Sequence, residues 1–206
     1  MTIPEQIPSA AKHLKSQTHD AHDALDQRIM ASSPFSSTTR YAQFLRAQRR
    51  FHATIDPLFG EPHLRGIVPQ LAERRRLAEI DLDLGDLGIE GQTDQSSVVV
   101  DFTSPATAFG WFYVAEGSKL GAAILLKHAQ RLGLSEAFGA RHLAAHDDGR
   151  ARHWRSFVEA MDQVAWNEAE LAVMVASATH AFSTMKAFVE QEMPLSDRNS
   201  EGSLVD

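Results

Sequence analysis

Three places in this sequence set polar or bare residues where helical spacing calls for apolar ones. The first is His22. With Leu14, Thr18, Ala21, Leu25 and Ile29 it follows the i, i+3, i+4, i+7 rhythm of a single helix face directed at a core. An imidazole on such a face must find a hydrogen bond or a metal, since burying an unpaired polar group costs about 1–3 kcal/mol. A core histidine bonded to a carbonyl satisfies that demand as well as a ligand does, and the pattern alone favours it. His19 makes a His-x-x-His pair with it, but no neighbouring carboxylates look like further ligands. Lys15 lies two turns earlier on nearly the same face, about 10 Å away at the helical rise. A solvated lysine at the stripe's edge is the plain reading; an imidazole and a cation at that separation also suit a flat ligand with a metal centre and an anionic rim.

The second place is Gln48 and His52, four apart on another apolar stripe, where two polar side chains suggest a bonded network that includes water. The third is Gly117-Ser118-Lys119-Leu120-Gly121, in the middle of the most apolar helix of the chain. Each interior glycine costs a helix about 1 kcal/mol relative to alanine. Two of them four apart strip one face of side chains, which serves either a tight helix crossing or a ligand lying against the backbone. Gly110 and Ser118 on the same helix add weight to the ligand.

Other constellations are missing. The 206 residues include no cysteine, which removes disulfides, thiolate metal sites and cysteine nucleophiles together. No Glu-x-x-His occurs, so a di-iron carboxylate bundle lacks its recurring ligand pair. No glycine-rich phosphate loop is present. His142 and His146 fall among glycine and aspartate in a segment that reads as loop, a poor metal site. A net charge of −7 argues against nucleic-acid binding as the main function. Arg46, Arg49 and Arg50, and the run Arg74-Arg75-Arg76, read as solvated faces or as a dock for an acidic protein.

The elements that must position these residues are helices. Helix one follows Pro8-Ser9. A second carries Tyr41, Phe44, Leu45, Gln48, Phe51, His52, Ile55 and Leu58 and stops at Gly60. A third, more charged, covers Val68 to Leu82. Gly85 to Pro105 is polar and turn-rich and predicts a long loop, in which Val98-Val99-Val100 is too short to found a sheet. The fourth helix runs from Pro105 to Leu132, where Gly133 can cap it. It is long enough to span a bilayer, but Glu116 and Lys119 near its middle mark it as a core helix of a soluble protein. Glu136 to Asp148 is irregular, and Trp154, Phe157, Val158 and Met161 mark a shorter helix. The last starts at Asn167 with Glu170 three residues on, carries Leu171, Met174, Val175, Ala178, Phe182, Met185 and Val189, and ends at Pro194. The expectation is an all-α, single-domain protein over 1–193 with a disordered tail, 194–206. The N-terminus lacks the basic start and apolar core of a signal peptide, which makes the cytoplasm the default.

Taken together, Leu14-Lys15-Ser16-Gln17-Thr18 leading to His22-Asp23, then Gly110-Trp111-Phe112-Tyr113-Val114-Ala115-Glu116-Gly117-Ser118-Lys119-Leu120-Gly121-Ala122-Ala123, then Gly139-Ala140-Arg141-His142-Leu143, resemble the bacterial haem oxygenases, in particular their haem-uptake, iron-acquisition branch. The likeness runs from about Lys12 to Met193. It implies a fold of about eight helices, with haem b, at once substrate and cofactor, held between the N-terminal helix and a kinked glycine-rich one. His22 is then the iron ligand. The backbone at Gly117 and Gly121, with Ser118 and ordered water, guides protons to bound O₂. Gln48 and His52 help order that water.

In the same resemblance Lys15 and Tyr113 face the haem propionates and favour the α isomer of biliverdin, released with CO and iron. Phe182 is a wall of the distal pocket, and Lys127 and His128 are weaker candidates for the haem edge. An external donor, a ferredoxin or a flavin reductase, supplies electrons, and the likeness implies a monomer with no nucleic-acid or membrane partner. A carrier that stores or transfers haem without cleaving it would share His22 and the pocket, but would need neither the glycine pair nor the distal water. A thiaminase-type helical enzyme would need the cysteine this chain lacks.

Overall fold

The computed structural model describes residues 9–89 and 98–195. Among them are eight α-helices and no strand: α1 (Ala10–Gln17), α2 (His19–Ala31), α3 (Thr38–Ile55), α4 (Pro62–Arg65), α5 (Leu77–Asp86), α6 (Pro105–Arg131), α7 (Arg150–Asp162) and α8 (Glu168–Glu192). Residues 90–97 of the expected loop and 196–206 of the expected tail lie outside the described residues.

The two long helices α6 and α8 form the central pair, and α8 also carries α2 and α3 on its flanks. Their crossing is set by Gly110. A Cβ there would stand 2.5 Å from the Met174 carbonyl oxygen and 2.7 Å from Ser177 Cβ. This glycine therefore belongs to packing, not to a ligand site. Around the crossing an aromatic core closes: Trp111 stacks on Phe51, Phe109 on Phe157, and Phe112 meets Phe157 edge-on.

Local chemistry explains most element ends. Ser9, Ser37 and Ser104 accept hydrogen bonds from backbone N–H groups of α1, α3 and α6. Asn167 and Glu170 form a reciprocal capping box at the start of α8. Gly133, with φ +82°, follows α6 in the left-handed region that glycine tolerates.

Two expected helices differ. The N-terminal one is broken at Thr18 (φ −111°, ψ 9°), whose hydroxyl donates to the Leu14 carbonyl at 2.8 Å. The expected third helix over 68–82 begins instead at Leu77. Pro69 and the left-handed Gln70 (φ 52°) turn the chain into a 3₁₀ segment, Leu71–Arg74, before α5.

Candidate functional site: a crevice between the N-terminal helix and the glycine helix

Both α2 and α6 pack on α8 and barely touch each other, so the two helices that carry His22 and the glycine pair share α8 as their support. His22 stands on the α2 wall. The structure corrects its placement: the imidazole is 55% exposed, not buried in a core stripe. The break at Thr18 turns α2 so that, within it, Leu25 is the buried residue. The ring's Nδ1 lies 3.5 Å from an Asp23 oxygen and 3.6 Å from an Asp26 oxygen. Its Nε2 has no protein partner among the described residues, and the ring meets Phe182 edge-on at 5.7 Å. A solvent-facing imidazole with Nε2 open is the arrangement an iron ligand needs. Phe182, buried on α8, therefore stands beside His22.

The glycine pair lies on α6, one unbroken helix with no interruption at its glycines. Around Gly121 a Cβ would meet nothing within 4 Å, and at Gly117 only the rim of the Trp154 ring at 3.9 Å. A tight helix crossing, the alternative use of such a pair, is thus realised at Gly110 and not here. Leu120 and Ile124 beside them are 41% and 63% exposed, apolar surface turned outward from the middle of a core helix. Ser118 donates to the Ala115 carbonyl at 2.8 Å.

α6 meets the start of α2 at Tyr113 and Thr18, whose side chains are hydrogen-bonded. The Thr18 hydrogen is given to Leu14, so the phenol donates. Burial raises the Tyr113 pKa and keeps it a donor. Lys15 is exposed one turn before Thr18. The cation and the phenol are thereby brought to the same end, although Tyr113 is directed at Thr18.

Gln48 and His52 are not joined by a hydrogen bond among the described residues; the expected pair does not form directly. His52 is buried on α3 against Phe51. Its pKa falls to about 3, first through burial and then through the positive field of Lys119 and the neighbouring His142 and Arg76, so it stays a neutral imidazole. Lys127 is exposed, whereas His128 packs against Phe35 at 5.3 Å, away from the crevice. His142 is buried and bonded through Nδ1 to Asp83 at 2.8 Å. No group of three or more potential metal ligands occurs among the described residues.

Of the arginine faces, Arg75 is exposed as expected and pairs with Asp56, while half-buried Arg49 and Arg50 pair with Asp81 and Glu192. Arg74 is fully buried, bound to Glu116 at 2.6 Å directly behind the glycine pair. Sequence reasoning missed that pairing. Its signal was present: a carboxylate inside an apolar helix needs a buried cation.

The residues fit haem. A planar group needs a nitrogen donor on one face, a wall without side chains on the other, and cations at its acidic edge. A Heme oxygenase family model matches residues 91–191. The chain is 38% identical over 188 residues to heme oxygenase PigA of Pseudomonas aeruginosa, covering 89% of this chain and 95% of that protein. The heme oxygenase of Neisseria meningitidis, solved with NO and CO bound, superposes with a TM-score of 0.82 at 35% identity, over 97% of this chain and 100% of that one. The heme oxygenase of Leptospira interrogans shares the fold at 18% identity, with a TM-score of 0.74 over 89% of this chain and 99% of that one.

Proposed function

This chain belongs to the haem oxygenase family, and we propose that it degrades haem seated in the crevice between α2 and α6, through His22 on one face and the bare backbone at Gly117 and Gly121 on the other. The observation that carries this reading is the open space at Gly121: a helix accepts two interior glycines at a cost in stability and leaves the bared face unpacked.

Haem brings the iron that activates O₂ and is itself consumed, leaving as biliverdin, CO and iron. His22 would hold the iron through its open Nε2, with Phe182 edge-on at 5.7 Å limiting the ring. Gly117 and Gly121 let α6 approach the opposite face more closely than any side chain would permit. Ser118, already donating to Ala115, keeps its oxygen available to accept from ordered water. Neutral His52, with Gln48 one turn away, would serve the same water as donor and acceptor. Lys15 and Tyr113 hold the propionates, the lysine by charge and the phenol by exchanging its bond to Thr18 for one to a carboxylate. Held at that edge by Lys15 and Tyr113, haem would be opened to the α isomer of biliverdin. The role is iron acquisition in the cytoplasm, by a monomer that receives electrons from a ferredoxin or flavin reductase. No described helix is long and apolar enough to cross a membrane.

The test is titration of the protein with ferric haem, then reductant in air, with pigments separated by chromatography. A 1:1 complex that turns over to α-biliverdin is expected. A complex that stays intact through repeated reduction identifies a carrier instead, and mainly β or δ pigment overturns the roles of Lys15 and Tyr113.

A further inference from the structure

Behind the glycine face, on the other side of α6, lies a set of charged groups that the haem reading leaves without a task. At about 100° per residue, Glu116 and Lys119 project about 120° and about 180° away from the mean direction of Gly117 and Gly121. The Arg74 and Glu116 side chains are 0% and 1% exposed. Every N–H of the Arg74 guanidinium is engaged. It donates to the Pro69 carbonyl at 2.8 Å, to Glu116 at 2.6 Å, to the His153 carbonyl at 3.2 and 3.3 Å, and to Ser156 Oγ at 2.8 Å. Lys119 Nζ donates to the Arg74 carbonyl at 2.7 Å and also to Glu116. Arg150, from the first turn of α7, donates to the Lys119 carbonyl at 3.2 Å and to the Leu143 carbonyl. The segment before α5, the middle of α6 and the whole first half of α7 are thus tied together at one point.

We infer that Arg74 is a positioning residue for the distal wall: with Glu116, Lys119 and Arg150 it clamps α6 from behind and fixes how closely Gly117 and Gly121 approach haem. The inference rests on the haem reading above. Its physical basis is that apolar packing sets the depth and rotation of a helix through its side chains, and Gly117 and Gly121 contribute none. A planar guanidinium with five directed bonds fixes both. A buried ion pair is seldom retained for stability, because matched apolar residues do as well or better in that respect. Directional control is what the pair adds.

The experiment uses the full chain with Arg74→Lys, which keeps the charge and loses the fork, and with the double replacement Arg74→Met/Glu116→Leu, which removes the charges at similar volume. Hydrogen exchange is first followed without haem. Amides from Ser118 to Ala122 are expected to exchange at least 10-fold faster in both variants, while those in the middle of α8 keep their wild-type rates. The ferric haem complexes are then titrated with azide as a probe of the open face, and its Kd is expected to shift at least 5-fold. Wild-type exchange and azide affinity in either folded variant overturn the inference, the double one above all, since a merely structural role is restored by apolar packing. If Arg74→Lys does not fold, the double variant decides. Wild-type protein that takes up no haem defeats the site reading itself, whereas uptake with unchanged azide affinity defeats only the clamp.

Discussion

The two helices proposed to hold haem are built on opposite plans. On the His22 side α2 buries only Leu25 of its own residues, leaves Met30 64% exposed, and is tied down near its end by Arg28, which donates to the Met193 carbonyl at 2.7 Å. On the glycine side α6 buries eleven residues and is held by an ion pair with no access to water. The contrast follows from what each wall supplies. A bond to iron needs one side chain, which can adjust its own torsions and so tolerates a lightly packed helix. A wall made of backbone has no torsions to adjust, and its position must be set by the elements behind it.

The sharpest way to break this comparison is to remove the one side chain on which the lightly packed wall depends. His22→Ala should weaken haem binding by at least about 100-fold, since even the outer partners of a metal ligand are worth 10–100-fold. The measurement is absorption titration with haem, and added free imidazole should restore the spectrum. An unaltered spectrum in the variant would place the ligand elsewhere.

The two glycine positions of α6 allow the same substitution to be read with opposite sign. Gly110→Ala drives a methyl into the backbone of α8 and should destabilise the apoprotein by about 1–3 kcal/mol, the usual cost of overpacking. Gly121→Ala meets nothing, and should stabilise it by about 0.5–1 kcal/mol through helix propensity while weakening haem binding. Chemical unfolding of both apoproteins checks the pair. A loss of stability at Gly121 would mean that its open face packs against protein.

How much of this was legible beforehand depends on the range of the interaction. Capping at Asn167, the stop at Gly133 and the irregular stretch before Arg150 follow from residues a few positions apart, and the sequence carries them openly. The site was read through the Gly117-to-Gly121 spacing and the stretch around it, again local. What failed was non-local. Periodicity placed His22 in a core because it assumed one straight helix, whereas the Thr18 side chain bonds to Leu14 and the chain turns there. Arg74 read as surface because three consecutive arginines suggest it; its partner is 42 residues away. Phe182 has the composition of a pocket wall, but nothing in its spacing says which wall.

Acid should act mainly through the tightly packed side. Burial holds His52 neutral, with its pKa at about 3 against 6.5 in an unfolded chain. Below pH 6.5 the unfolded chain therefore binds a proton that the native protein refuses. Stability falls with pH by up to about 1.4 kcal/mol per unit until the native value is reached. Buried His153, lowered to about 4 chiefly by desolvation, adds to the slope in the same direction. Between pH 7 and 5, wild type should lose about 2 kcal/mol more than His52→Leu. Parallel urea curves for the two proteins at both pH values would show that His52 is not desolvated in solution.

The smallest effect belongs to the carboxylates beside His22. Asp23 and Asp26 are 48% and 62% exposed, and their oxygens lie 3.5 and 3.6 Å from Nδ1, beyond a good hydrogen bond. Charges so placed are screened by water and salt, and their contribution is of the order of a surface pair. Asp26→Asn should therefore change haem affinity by less than about 3-fold, with the difference vanishing as salt is raised. His22 would keep its place because Phe182, edge-on at 5.7 Å, limits the ring whatever the carboxylates do. A large, salt-independent loss in that variant would mean that haem binding draws Asp26 into a short, desolvated bond. The His22 wall would then be assembled by its ligand, whereas the glycine wall is built in advance.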